Sequence, residues 1–221
     1  VPGLLCGSDP ISADATTLMP TNYRACAGDV TWNMGNRGFY PIAAQDLHPA
    51  QKGWLRSAIG VSFPKKITDG LSKTLLIGEA VIGDGSTSRL SGWAYVDGYQ
   101  SYPRPQDCLA ANFEFAQSSD NLIGRNWANS LAGYTWFYCT LPPNGPRCSR
   151  YTEARHSAVP ASSYHGRGAQ VAMCDGAVRF IEDSIDTNNS QNYTTWSWTE
   201  PSRYGVWGSM ATPSGGEAYS Y

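Results

Sequence analysis

The residues of this 221-residue chain that could do chemistry are three histidines (His48, His156, His165), six cysteines and scattered carboxylates. His165 and Asp175 stand with nine residues between them, near enough in the chain to be weighed as an acid–base or nucleophile-orienting pair. Asp175 is followed by Gly176, and an Asp at the head of a tight turn usually bonds nearby backbone N–H groups. The structural reading is therefore preferred: Asp175 serves the turn, and His165 packs at a strand start against a main-chain carbonyl. Glu79 ends the apolar run Leu75-Leu76-Ile77-Gly78. It reads as a buried acid that pairs with an arginine or accepts from backbone donors at a sheet edge. No G-x-S-x-G elbow and no CxxC pair occurs, and the histidines do not fall at zinc-ligand intervals. Gly166-Arg167-Gly168 lacks the preceding strand and following helix that would make it a phosphate loop. The expectation is no catalytic residue, no metal, and no enzyme.

Cysteines at 6, 26, 108, 139, 148 and 174 allow three disulfides in 15 possible pairings. Cys139 and Cys148 bracket the turn-rich Leu141-Pro142-Pro143-Asn144-Gly145-Pro146. A bridge closing so short a loop, contributing about 2–3 kcal/mol, is expected first. Cys6 with Cys26 is the second candidate, which leaves Cys108 and Cys174 to pair or stay free. A free thiol at Cys174, in a strand, reads as a small buried hydrophobe.

The element that must position His165 and Asp175 is a hairpin. Asp175-Gly176 favours a two-residue type I′ turn, setting Met173 against Val178 and Val171 against Phe180. Those four residues would then share one apolar face, with Ala172, Cys174, Ala177 and Arg179 on the other. Strands are expected at Thr74 to Ile77, Ser91 to Val96 and Tyr134 to Thr140, and short helical pieces at Asp46 to Ala58 and Thr68 to Lys73. Gly and Pro number 23 and 14, well above the roughly 12% of ordinary chains, so turns dominate. The fold class is α+β and strand-rich: an antiparallel sheet with long turn-rich insertions and little helix, forming one domain over residues 1–221. The tail, Pro213 to Tyr221, is loose unless captured.

Composition narrows the partners. A net charge of −2 offers no basic surface for a phosphate backbone. Charged residues are 15% of the chain against roughly 25% in typical soluble proteins, a balance suited to an exported assembly. No apolar run approaches the length of a membrane span. Eight Trp, 13 Tyr and 6 Phe include the cluster Tyr193, Trp196, Trp198, Tyr204 and Trp207. Trp196 and Trp198 would share a strand face. Tyr193, Trp196, Trp198 and Trp207 are thus a candidate platform for a sugar ring or a neighbouring subunit, with core packing the preferred alternative.

Several blocks carry a resemblance in their order: LLCGSDP (4–10), TNYRACAGD (21–29), ITDGLSKTLLIGE (67–79), LPPNGPRC ending at Cys148, the His165…Asp175-Gly176 stretch, and YGVWGSMATPSGGE (204–217). Together the chain resembles a large family of pilin-like proteins from planctomycete bacteria with a C-terminal H-x(9)-D-G signature. The resemblance implies a pilin-like or pseudopilin-like head whose precursor carries an apolar N-terminal helix. It marks His165, Asp175, Gly176, Asp69, Gly70 and Glu79 as motif residues with structural roles. It implies an extracellular or cell-surface filament built from copies of the chain or related subunits. A surface carbohydrate-binding or accessory module is the alternative. Because the chain opens at Val1-Pro2, within what resembles the middle of the family pattern, a processed or truncated chain is expected. Major pseudopilins can hold calcium in a loop of the head, and Asp84, in Gly83-Asp84-Gly85-Ser86, is the candidate ligand here.

Overall fold

A computed structural model describes residues 2–10, 19–29, 65, 67–84, 88–96, 103–111, 124–128, 132–149, 157–192 and 200–217. Its centre is a five-stranded sheet in the order β4-β1-β2-β7-β8. The strands are β1 (Tyr23–Cys26), β2 (Leu75–Glu79), β4 (Trp136–Phe137), β7 (Gly168–Met173) and β8 (Val178–Glu182). A second sheet, β3-β5-β6, joins β3 (Ala94–Tyr95), β5 (Cys148–Ser149) and β6 (Ser157–Ala158). Three short α-helices, α1 (Pro105–Leu109), α2 (Ala132–Thr135) and α3 (Gly205–Ala211), and two single turns of 3-10 helix, Pro2–Leu4 and Asn188–Ser190, complete the described elements. The chain is thus strand-rich α+β with little helix. The sheets are mixed and not wholly antiparallel, because β1 pairs β4, and β3 pairs β5, in parallel. Both parallel pairs join strands far apart in the chain, as parallel pairing requires.

The β7–β8 hairpin departs from the expected register by one residue, and the turn is the reason. Ala172 lies opposite Val178, and Gln170 opposite Phe180. Met173 N–H donates to the Ala177 carbonyl at 2.8 Å and Gly176 N–H to the Met173 carbonyl at 3.0 Å. Three residues, Cys174 to Gly176, therefore form the loop, with Gly176 at φ +87°, the left-handed bulge position that glycine fills without strain. A one-residue slip moves side chains to the other face. Val171 and Met173 stay inside, while Val178 and Phe180 come out, 68% and 43% exposed. Ile77, opposite Ala172, adds a third exposed apolar side chain to this outer face.

The inner face carries the core. Cys26, Leu75, Phe137, Val171, Met173 and Ile181 pack with Trp207, Met210 and Ala211 of α3. Phe137 and Trp207 stack at a centroid distance of 6.2 Å, and the Trp207 indole N–H donates to the Leu141 carbonyl at 3.0 Å. A Cβ at Gly78 would sit 2.9 Å from the Phe137 ring, so glycine in β2 makes room for that ring. Sequence reading found β2 and located β3 and β4 within longer segments. It missed α3, whose Gly205 and Gly208 argue against helix by propensity. The segment 70–74 is a hydrogen-bonded turn and not a helix. The expected helix at Asp46 to Ala58 lies outside the described residues.

The disulfide expectation is corrected. The bridge joins Cys108 of α1 to Cys148 of β5, with Cα atoms 5.6 Å apart, inside the usual range for the bond. Both cysteines belong to a smaller core with Ala94, Val96, Leu141 and Ala158. Cys139 sits in the main core with Cys26, so the 141–146 turn carries Cys139 and Cys148 into different cores. Cys6 is half-buried and Cys26 fully buried, both as free thiols. They cannot meet, because Cys26 faces the interior while Cys6 lies on the outer side among polar groups.

Candidate functional site: a cysteine–glutamate–histidine cluster on the sheet

Glu79 ends the central strand β2 and sits opposite Tyr23 of β1. Its side chain is 4% exposed. One carboxylate oxygen, Oε2, accepts the Gln170 backbone N–H of β7 at 3.0 Å, which fixes the group in place. The other, Oε1, lies 3.2 Å from His165 Nε2. Glu79 thus accepts a backbone donor as expected, but in the middle of the sheet and with a histidine as its second neighbour.

His165 reaches this position from the loop before β7. Its backbone N–H donates to Ser163 Oγ at 3.1 Å, and Ser163 Oγ in turn donates to the Gly168 carbonyl at 2.8 Å. Among the described residues the ring meets side chains and no main-chain carbonyl. Nε2 faces Cys6 Sγ at 3.2 Å and Ser8 Oγ at 3.1 Å as well as Glu79. The N-terminal segment supplying Cys6 and Ser8 is held by Asn22, whose Oδ1 accepts the Cys6 N–H at 2.8 Å. Asn22 Nδ2 donates to buried Asp9 at 2.6 Å. A shallow cleft, lined among others by Cys6, Ser8, Asp9, Glu79, Ser163 and Tyr164, opens beside the cluster. Burial, followed by the charges of Cys6 and Glu79, pushes the Tyr23 phenol above its ordinary range.

The geometry limits the chemistry. A nucleophile–histidine–carboxylate relay needs the nucleophile on one ring nitrogen and the carboxylate on the other. Here thiol, hydroxyl and carboxylate all crowd Nε2, so these described residues do not assemble a relay across the ring. One ring nitrogen carries a single proton or a single lone pair and cannot serve three polar neighbours together.

The other motif residues are placed elsewhere. Asp175 is remote from His165 in the hairpin loop, where its Oδ1 accepts the Ala177 N–H at 2.9 Å. Asp69 gathers the C-terminal block: its carboxylate accepts the Gly215 and Gly216 N–H groups at 2.8 and 3.1 Å. Next to it Gly70, at φ +104°, turns the chain into β2. The described part of the tail is thus captured by loops and not by the sheet, with the Glu217 carboxylate accepting the Ser202 N–H and the Thr212 hydroxyl. Asp84 is exposed and accepts from Ser91 Oγ at 2.9 Å, while Gly85 and Ser86 lie outside the described residues. Trp207 leaves the proposed aromatic platform, being fully buried in the core; Tyr193, Trp196 and Trp198 lie outside the described residues, as do His48 and His156. Sequence reasoning missed Cys6 and Ser8 as neighbours of His165. They are more than 150 positions away, and the only signal was that LLCGSDP is one of the blocks carrying the resemblance.

No curated protein and no solved structure matches the chain. The model of the SBP_bac_10 family, described as "Protein of unknown function (DUF1559)", matches residues 1–188. With that match running from the N-terminal segment through the Cys6, Glu79 and His165 positions and the whole β7–β8 hairpin, the chain belongs to the DUF1559 family.

Proposed function

We propose that this chain is the head of a structural subunit of an extracellular pilin-like or pseudopilin-like filament, working by self-assembly and not by catalysis. The observation that carries the reading is the outer face of the main sheet. Ile77, Val178 and Phe180 project from it, 38%, 68% and 43% exposed, and the half-buried Ala25 and Ala172 lie in the same row as Ile77 and Val178. Contiguous exposed apolar side chains mark contact surfaces, and a head-to-tail contact that does not close on itself propagates as a helix. Family membership and the resemblance of the motif blocks to planctomycete pilin-like proteins support the same reading. No described helix is long and apolar enough to cross a membrane, so a filament core would come from sequence outside the described residues.

Electron cryo-microscopy of the protein isolated from its native source, with intact-mass analysis of the same material, tests this. Heads repeating around a common axis with the outer sheet face at the subunit contact are expected. Discrete particles with Val178 and Phe180 facing solvent would overturn the reading. Phe180→Asp, on an exposed position, is expected to abolish assembly while changing the stability of the head by less than about 0.5 kcal/mol.

A further inference from the structure

Four electron-rich atoms, Cys6 Sγ, Ser8 Oγ, Glu79 Oε1 and His165 Nε2, crowd together beside a cleft, three of them against Nε2, with Cys6 Sγ and Ser8 Oγ also hydrogen-bonded to each other at 3.0 Å. We infer that Cys6, Glu79 and His165 form a binding site for a single divalent transition-metal ion of the zinc class. Their ligand atoms all lie within 4.8 Å of one another, with Sγ–Nε2 and Nε2–Oε1 separations both 3.2 Å. Tetrahedral zinc, with bonds of about 2.0–2.3 Å to N, O and S, sets its ligand atoms roughly 3.3–3.6 Å apart, so small side-chain movements complete the site. The donor set is one sulfur, one imidazole nitrogen and one carboxylate oxygen, which suits zinc and its neighbours and not calcium or magnesium.

Charge supports the same ion. Cys6 binds as the thiolate, its proton passing to solvent. Thiolate and carboxylate then balance a divalent cation, leaving a neutral centre where Glu79 is almost wholly buried. The surrounding bonds hold each ligand in position, as outer-shell partners of metal ligands do. Gln170 N–H fixes the Glu79 carboxylate, Asn22 fixes the Cys6 backbone, and Ser163 fixes the His165 backbone. Three protein ligands leave a fourth position facing the cleft, beside Ser8 and Tyr164. The ion joins three separate pieces of chain, the N-terminal segment, the central strand and the loop before β7, and so clamps the N-terminal segment to the sheet.

The test is titration of the chelator-treated protein with Co²⁺, followed by its thiolate-to-metal absorption, with competition by Zn²⁺. One equivalent is expected to bind with a thiolate band, Zn²⁺ is expected to displace it, and Zn²⁺ is expected to raise the melting temperature. Cys6→Ser and His165→Ala, both at partly exposed positions, are each expected to weaken binding by about a hundredfold or more and to remove the thermal shift. Circular dichroism reports the fold of each variant. Cys174→Ser, a thiol outside the cluster, is expected to bind as the parent does. Absence of stoichiometric Co²⁺ binding, or binding that survives both Cys6→Ser and His165→Ala, would overturn the assignment.

Discussion

Two fully buried arginines, Arg24 and Arg147, share one acceptor, the Val81 carbonyl, at 3.1 and 2.6 Å. Nε and Nη1 of both have no hydrogen-bond partner among the described residues. Burial, and next the charge of Arg147, pulls the Arg24 pKa well down, while burial lowers Arg147 to about 10. Asp9, 3% exposed, supplies an opposing charge to both. Removing one partner from a buried ionic group strands the remaining charge, so Asp9→Asn is expected to lower stability by about 3–5 kcal/mol, read from the urea midpoint. The thiols give a pH prediction with the opposite dependence. Burial, then the charges of Cys26 and Asp175, pushes Cys174 up to about 12 from an ordinary 9.0. Its folded pKa is therefore the higher one, and its contribution is complete below pH 9 and lost as pH rises towards 12. The melting temperature is expected to fall across that window less steeply in Cys174→Ala than in the parent protein. Of the residues at the candidate site, Glu79 and His165 were legible as motif positions. Their meeting with Cys6 was not, because no short spacing relates them.

At the level of elements, the hairpin shows how one backbone choice decides a whole face. Asp175-Gly176 announces a turn correctly, but the dipeptide is compatible with both a two-residue loop and a three-residue loop with a bulge, and these differ by one in register. The Cys174–Gly176 loop turns Val178 and Phe180 outward and thereby creates the proposed contact surface. Gly176→Ala, at φ +87° with no atom within 4 Å of the added Cβ, is expected to destabilise by about 1 kcal/mol through backbone strain alone. Thermal melts will show this, and an unchanged melting temperature would argue against the bulged loop. Helix α3 was hidden for the opposite reason. Its two glycines lower helix propensity, but burial of Trp207 and Met210 against the main sheet outweighs the roughly 1 kcal/mol that each glycine costs.

For the whole molecule, the covalent cross-link among the described residues lies within the smaller core. The Cys108–Cys148 bridge spans 40 positions and staples α1 to the smaller sheet, while Cys26, Cys139 and Cys174 remain buried thiols. Replacing both Cys108 and Cys148 by Ala is expected to lower stability by about 2–4 kcal/mol, and non-reducing peptide mapping is expected to find those two alone in a linkage. Alkylation of the native protein should then mark Cys6 first, because the other thiols are inside. The sequence by itself determined the class of this protein: turn-rich, strand-rich, poor in charge, with a hairpin at Asp175-Gly176 and motif blocks enough to place it in a family. Such properties depend on composition and local backbone preference, which neighbouring residues report directly. Tertiary structure alone decided which cysteines pair, which hairpin face looks outward, and that Cys6, Glu79 and His165 share one point in space. Each of those rests on contacts between residues far apart in the chain, selected by packing of the assembled cores, and packing leaves no mark on local spacing.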